Sequence, residues 1–164
     1  RISELAPKGN PGHDITIAGQ RFSLKTEAAA NINLSKVHIS KFMELGKGEW
    51  DLELLRQRFF EHMKRYDRIF VLRCYSKPPK AWAYELVEIP KALLEEASGG
   101  QFRTVESSRQ LPKPGYCDVV DVLGAIRFQL YFDAGTERKL QVKAIRKDLC
   151  RIHAIWSFPA LRST

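Results

Sequence analysis

Apolar and polar residues near the start of the chain are arranged in a pattern that predicts a β-hairpin. Residues 14–17 and 22–25 are short runs rich in apolar and β-forming side chains. The Ala18-Gly19-Gln20 segment between them has the composition of a tight turn. The two runs are therefore expected to pair as neighbouring strands.

The second strand of this hairpin is expected to carry a polar face. Because successive side chains of a strand point to opposite faces, Ser23, Lys25 and Glu27 share one side and the apolar residues between them share the other. Asp14, at the head of the first strand, is expected across the ladder near that polar face.

Two segments downstream have apolar residues at near-helical intervals. Residues 34–45 predict a helix that ends before Gly46 and carries Lys36 and Lys41 off its apolar stripe, either towards a phosphate backbone or simply into solvent. A second helix is predicted after Asp51, which can cap it. The apolar positions on one face of this second helix are Leu55, Phe59, Met63 and Tyr66.

The remaining segments complete an α/β (α+β) pattern. Residues 68–75 and 82–89 read as adjacent core strands, and Pro90 opens a short helix. Residues 99–116 are the longest candidate loop, and residues 125–145 predict a C-terminal hairpin. We expect a central mixed β-sheet flanked by helices. Beyond the hairpin, Trp156 and Phe158 are expected to be buried against the sheet.

The outward face of the C-terminal hairpin and the loop before it carry side chains suited to nucleic acid. Arg can pair with guanine, Gln with adenine and Lys with phosphate, and a β-ribbon fits the major groove. A solvated sheet face and an ordinary loop would have a similar composition. The candidate DNA-binding residues here are Arg109, Lys113, Arg127, Gln129, Lys139, Gln141 and Lys143.

Composition and net charge indicate a globular protein that binds a polyanion. The 164 residues suit a single domain spanning 1–164, and 44% hydrophobic with 28% charged residues exclude a disordered or membrane class. Without a signal-peptide pattern, a cytoplasmic location is expected. The chain begins without Met, so a missing N-terminal segment remains the open alternative. The net charge of +8 favours nucleic acid over a membrane, since no basic amphipathic helix is predicted.

The cysteines give no sign of a disulfide framework. Cys74, Cys117 and Cys150 are widely separated and odd in number. Reduced thiols in the core are therefore expected.

The first hairpin combines side chains that metal-assisted phosphodiester cleavage requires. A carboxylate pair can hold a divalent metal ion that activates water, and a neighbouring Lys can orient the water or offset transition-state charge. This arrangement resembles the PD-(D/E)xK nuclease superfamily, which includes most type II restriction endonucleases. Asp14 matches the first metal-binding aspartate of that family, and Lys25 matches its lysine. Glu4 matches the glutamate that many members carry on the helix before the hairpin.

The sequence departs from the family pattern at Ser23, where the motif has Asp or Glu. Glu27 is the nearest replacement because it shares the strand face, and Glu44 on the following segment is the second candidate. His13, beside Asp14, either contacts a phosphate or caps the strand. The resemblance thus implies a Mg²⁺ ion held by Asp14 together with Glu27 or Glu44.

The resemblance implies an Mg²⁺-dependent endonuclease that cuts double-stranded DNA at specific sequences, acting as a homodimer. A non-catalytic DNA-binding or effector domain is the main alternative, with Ser23 marking a lost carboxylate. An RNA-binding domain is a third reading that the charge permits.

Overall fold

The structure is a computed structural model that describes residues 3–10, 12–29, 31–77 and 81–159. The strands are β1 (Ser3–Leu5), β2 (Ile15–Ile17), β3 (Gln20–Glu27), β4 (Lys36–Glu44), β5 (Arg68–Ser76), β6 (Trp82–Ile89), β7 (Gln101–Thr104), β8 (Gly115–Val120), β9 (Ile126–Asp133), β10 (Lys139–Arg146) and β11 (Arg151–Phe158). The helices are α1 (Leu52–Met63) and α2 (Lys91–Glu95). No helix among these residues is long and apolar enough to cross a membrane.

The strands form a mixed sheet and an antiparallel sheet. The first sheet has six strands in the order β1-β2-β3-β5-β6-β11, and the second has five in the order β4-β10-β9-β8-β7. Within the first sheet β3 and β5 are parallel, and the crossover between them carries β4 and α1. The predicted α+β class with a mixed sheet, flanking helices and a C-terminal hairpin is confirmed.

One apolar core joins both sheets and α1. Asp51 caps α1 by accepting a hydrogen bond from the Leu54 amide at 2.8 Å, and the predicted apolar face of this helix is buried. The strands that the sequence predicted at 68–75 and 82–89 are β5 and β6, which pair antiparallel. The core residues contributed by α1, the mixed sheet and the antiparallel sheet include Leu55, Phe59, Ile69, Val71, Val87, Leu130 and Val142.

The prediction of a helix over residues 34–45 is wrong, because most of this segment forms strand β4. Its register against β10 explains the misleading pattern: Ile39 pairs with Val142 and Met43 with Leu140. Four residues of β4 therefore match two of β10, and the extra residues form a bulge. The bulge shifts the phase of the strand, so that its buried positions imitate helical spacing.

Two further expectations need correction. The predicted loop 99–116 contains strand β7, which pairs with β8, so the irregular part is shorter than expected. Phe158 is not buried against the sheet but is 55% exposed on β11, although Trp156 stacks on Tyr84 with ring centroids 5.7 Å apart. Strand β11 lies at an edge of the mixed sheet, where little packs against its outer side chains.

The first predicted hairpin is confirmed as β2 and β3. Ala18 and Gly19 both have positive φ, of 48° and 79°. This is the conformation that the tightest hairpin turns require. The turn fixes the register, in which Ile15 pairs with Phe22 and Thr16 with Arg21. All three cysteines are free, and Cys74 and Cys117 are buried as expected.

A buried arginine connects the two sheets and the segment between them. The Arg73 side chain has no exposed surface; its guanidinium donates to Glu27 at 2.6 Å and also to Glu85. It donates further to the carbonyl oxygens of Asn33 and Lys36 at 2.6 and 2.8 Å. A buried charge of this kind requires such complete pairing, because its desolvation is costly.

We expect replacement of Arg73 to destabilise the fold strongly. Arg73→Met would leave two glutamates without their buried partner, at a cost of about 3–5 kcal/mol in the free energy of unfolding. Lys64→Met is the matched control, because Lys64 pairs with Glu61 on the surface and is 70% exposed. Urea denaturation of both variants measures the difference. Equal stabilities would contradict a structural role for the Arg73 network.

Candidate active site

The position of Asp14 is fixed by hydrogen bonds to its neighbours. Its main chain donates to the Phe22 carbonyl at 2.8 Å and accepts from the Ala6 amide at 2.9 Å. Its side-chain Oδ2 accepts from the Leu24 amide at 2.6 Å. The carboxylate is therefore held across the β2–β3 ladder and keeps acceptor capacity for a further partner.

Lys25 lies beside Asp14 in a partly buried position on β3. Burial lowers the pKa of Lys25, and the negative charge of Asp14 opposes that shift. Its Nζ lies 5.9 Å from the centroid of the Phe42 ring, which forms one side of its surroundings. The ammonium is thus less hydrated than that of a surface lysine, which strengthens its interaction with a nearby anion.

A groove of about 710 Å³ opens at these two residues. Strand β3 contributes Lys25, strand β4 contributes Lys41 and Glu44, and the segment before β2 contributes Asp14. The helix side of the groove carries Arg58, Glu61, His62 and Arg65. Carboxylates and cations therefore line a single open groove together.

The structure separates the two carboxylates that the sequence left as alternatives. Glu44 lines the groove and pairs with Lys41 at 2.9 Å. Glu27 does not line it, because its carboxylate accepts a hydrogen bond from Arg73 and is only 10% exposed. Ser23 is fully buried, and its hydroxyl has no hydrogen-bond partner among the described residues.

The expected position of Glu4 on a helix is wrong. Glu4 lies on strand β1, directly opposite Thr16 of β2, and it is exposed. The main-chain groups of residues 3–5 pair with β2, which excludes a helix there. Glu4 does not line the groove.

The helix side of the groove includes residues that sequence reasoning did not assign to a site. Arg58, Glu61, His62 and Arg65 follow the i, i+3, i+4, i+7 spacing of one helix face, and that spacing is the signal that could have found them. Burial lowers the pKa of His62 to about 4, and the nearby positive charges of Lys25 and Arg65 act in the same direction. The His62 imidazole is therefore neutral at physiological pH.

A second hollow of about 690 Å³ adjoins the groove, with Glu44 and Gly46 lining both. Its other side is formed by the turn of the C-terminal hairpin, residues 134–138, and by Gln110 and Leu111 of the loop before β8. The turn of that hairpin, rather than its outward face, therefore lies next to the groove.

The outward face of the C-terminal hairpin gathers the predicted residues as expected, but their side chains are engaged by neighbouring residues of the protein. Arg127 binds Glu96 through two hydrogen bonds, Gln129 donates to Asp118 and Gln141 to Asp133. The cations at the centre of the hairpin are also engaged: Lys139 lies 3.6 Å from Glu137, and Lys143 lies 3.8 Å from the Tyr131 ring centroid.

The other predicted DNA-binding residues lie apart. His13 is bonded to Asn10, Lys36 is exposed at the start of β4, and Arg109 is exposed in the loop before β8. Lys113 donates to main-chain carbonyls of its own loop. Of the predicted cations, only Lys25 and Lys41 are among the described residues that line the groove.

The carboxylate oxygens in the groove suit a hard divalent cation that completes its coordination with water and substrate phosphates. Within the described residues, no cluster of three His, Cys, Asp or Glu side chains could enclose a metal ion. Asp14, Glu44 and Glu61 nevertheless bring three carboxylates to the same groove, of which Glu61 pairs with Lys64 at 2.6 Å. Mg²⁺ is commonly bound by one or two carboxylates together with water and substrate phosphates.

Comparison with known proteins identifies the relatives of this chain. Residues 2–158 match the family described as SmaI, type II site-specific deoxyribonuclease. The chain is 52% identical over 158 residues to the type II restriction enzyme SmaI of Serratia marcescens. This alignment covers 96% of the chain but only 64% of that relative. No solved structure matches the chain.

The two glutamates should respond differently to neutralisation. Glu27→Gln weakens the buried pair with Arg73 and is expected to lower the free energy of unfolding by about 1–3 kcal/mol. Glu44→Gln removes only an exposed pair with Lys41 and is expected to change it by less than about 1 kcal/mol. Urea denaturation of the two variants measures both effects. A larger loss for Glu44→Gln would contradict this assignment.

Proposed function

Because the chain belongs to the SmaI family of type II site-specific deoxyribonucleases, we propose that its groove cuts double-stranded DNA at specific sequences. The observation that carries the proposal is the convergence of Asp14, Lys25 and Glu44 on one basic groove. We further propose that the chain is a variant of the PD-(D/E)xK superfamily, with Ser23 at the second acidic position. Glu44 would then supply, from β4, the carboxylate that the motif lacks.

Asp14 and Glu44 would hold the divalent metal ion, which we propose is Mg²⁺. When bound there, the ion would supply activation of water and neutralisation of charge on the phosphate. Asp14 suits this position because its Oδ2 is anchored on the Leu24 amide, which fixes the direction of the carboxylate. Glu44 lies at the end of β4, where its pairing with Lys41 is exposed and can be exchanged at low cost.

Lys25 would position the attacking water and stabilise the charge that develops on the phosphate. Its partial burial increases the strength of this interaction, since less water screens it. The hydrolysis would proceed by in-line attack of the water on phosphorus, with the leaving oxygen on the opposite side. His62 remains neutral at working pH and would accept or donate a hydrogen bond without adding charge.

The groove and the adjoining hollow together would hold the duplex. Arg58 and Arg65 line the groove beside Lys41, and Lys47 and Arg138 line the hollow. These cations suit phosphate contacts, and the net charge of +8 supports attraction of DNA over longer distances. Gln110 and Thr136 would be nearest to the bases. The outward hairpin face, with Gln129 and Gln141, is the alternative surface for base reading.

We propose a homodimer that binds a symmetric site, as symmetry between protein and DNA favours. The long edge strand β11 is the surface best suited to a second copy. Its side chains are largely exposed, with Ile155 at 61% and Phe158 at 55%. An unprotected edge of this kind pairs readily with an identical strand. A cytoplasmic location stays a prediction.

A non-catalytic DNA-binding domain is the second candidate. It is favoured by the lack, within the described residues, of a three-residue cluster able to enclose a metal ion. This candidate predicts DNA binding that does not depend on metal, with the strands left intact.

Incubation with plasmid DNA tests the nuclease proposal. We expect discrete fragments with Mg²⁺ and intact DNA with EDTA. Lys25→Ala and Glu44→Gln should each lower the cleavage rate by about 10²-fold or more, because each removes a group that acts on the transition state. Lys36→Ala is the control, since Lys36 is exposed outside the groove. Retarded but uncut DNA under all conditions would contradict the proposal in favour of the binding domain.

The proposed dimer is tested without DNA. Light scattering after size-exclusion chromatography should give twice the chain mass of 18.8 kDa for the unmodified protein. Ile155→Lys should give monomers, because a lysine at the centre of β11 opposes its own copy across the symmetry axis. Val122→Lys should leave the dimer intact, since Val122 is fully exposed on a turn away from β11. Dimers that persist in Ile155→Lys would exclude β11 as the interface.

A further inference from the structure

An exposed leucine stands at the edge of the proposed DNA-binding surface. Leu111 is 85% exposed and lines the hollow next to the groove, in the loop between β7 and β8. Apart from Ala134 and two glycines, the other residues that line this hollow are polar or charged, among them Lys47, Gln110 and Arg138. Among the described residues that line the hollow, Leu111 is the only large apolar side chain, and its exposure shows that it is not packed there.

The loop that presents Leu111 is held in shape by hydrogen bonds. Lys113 Nζ donates to the carbonyl oxygens of Glu106 and Ser108 at 2.8 and 2.6 Å. Trp50 Nε1 donates to the Lys113 carbonyl at 2.8 Å, which ties the loop to the segment before α1. The Val105 amide donates to the Pro114 carbonyl at 2.9 Å and closes the base of the loop. Leu111 is therefore presented by a pre-organised loop, so binding a ligand there requires little ordering.

The apolar surface that a duplex offers to such a side chain lies in its base stack. Phosphates and sugars meet the cations of the groove, and the faces of the bases become accessible when a base step opens. Leucine is among the side chains that proteins insert between base steps, which kinks the duplex. Because Glu44 and Gly46 line both the hollow and the groove, a kink at Leu111 would fall near the phosphate held beside Lys25.

We propose that Leu111 is a wedge that inserts between base pairs next to the cleaved phosphate and so positions that phosphate in the groove. The inference rests on the proposed nuclease function and assigns Leu111 a positioning role in it. It gives a role to the loop before the C-terminal hairpin, whose side chains the sequence analysis describes as suited to nucleic acid. Lys113 then serves to hold the loop rather than to contact phosphate.

The chain offers a matched control for this wedge. Leu123 is 90% exposed, on a turn between β8 and β9, and it lines neither the groove nor the hollow. Truncation of Leu111 or Leu123 to alanine removes the same exposed atoms, and neither change should alter thermal stability. Any difference between the two variants in DNA binding or cleavage is therefore due to where the leucine lies, and not to the loss of an exposed leucine as such.

The test uses a duplex that contains the mapped cleavage site, with the fluorescent base 2-aminopurine placed at each step around the cut. Binding is followed with EDTA present, and single-turnover cleavage is followed with Mg²⁺. We expect fluorescence to rise several-fold at one step for the unmodified protein and for Leu123→Ala, but not for Leu111→Ala. The single-turnover cleavage rate of Leu111→Ala should also be lower by at least about tenfold. Leu111→Phe, which keeps an apolar wedge, should restore both signals.

Two results would overturn the wedge. If Leu111→Ala gives the same fluorescence rise and cleavage rate as the unmodified protein, Leu111 does not insert. If 2-aminopurine fluorescence rises at no base step while the unmodified protein cleaves normally, the bases stay stacked. That result overturns the wedge and leaves the proposed nuclease function intact. A protein that neither binds nor cuts the duplex would overturn the proposed function as well, so the two failures are distinguishable.

Discussion

The buried guanidinium of Arg73 ties the two sheets and the crossover between them together. It lies in the parallel pair of strands, bonded to Glu27 of β3 and Glu85 of β6, and it also holds the carbonyl of Lys36 where β4 begins. Lys147, which follows β10, adds a second cation to Glu85 at 3.0 Å. The mixed sheet, the antiparallel sheet and the crossover between them therefore meet at one charge cluster. A charge without exposed surface is tolerated only with such pairing, so the cluster fixes how these elements are arranged.

The same network engages one of the two carboxylates that the sequence left as alternatives for the metal site. Glu27 shares a strand face with Lys25, but its charge is committed to Arg73. Glu44, at the end of β4, lines the same groove as the anchored Asp14. Helix α1 contributes Arg58 to the groove, and Arg65 follows the end of the helix. Both cations suit contacts with phosphates. The groove is thus assembled from the hairpin, from the crossover strand and from the crossover helix, and each of these is positioned by the shared core.

The sequence predicted those elements whose pattern is local. The β2–β3 hairpin, α1 with its Asp51 cap, β5 and β6, and the C-terminal hairpin all follow from turn residues, capping and periodicity. Strand β4 was missed because its bulge against β10 gives buried positions a helical spacing. The choice between Glu27 and Glu44 was also out of reach, because the partner of Glu27 lies 46 residues away in sequence. Strand alternation assigns a face to a side chain, but it does not reveal a partner that arrives from another strand.

We propose that Asp14 and Glu44 hold a divalent metal ion beside Lys25. The most direct test of this proposal is crystallography of the chain bound to duplex DNA and Mn²⁺, because Mn²⁺ is located by its anomalous scattering. We predict a strong anomalous peak in the groove, within coordination distance of the carboxylates of Asp14 and Glu44 and of one phosphate. A peak at Glu27, or a groove that binds DNA with no peak beside Asp14, would contradict it.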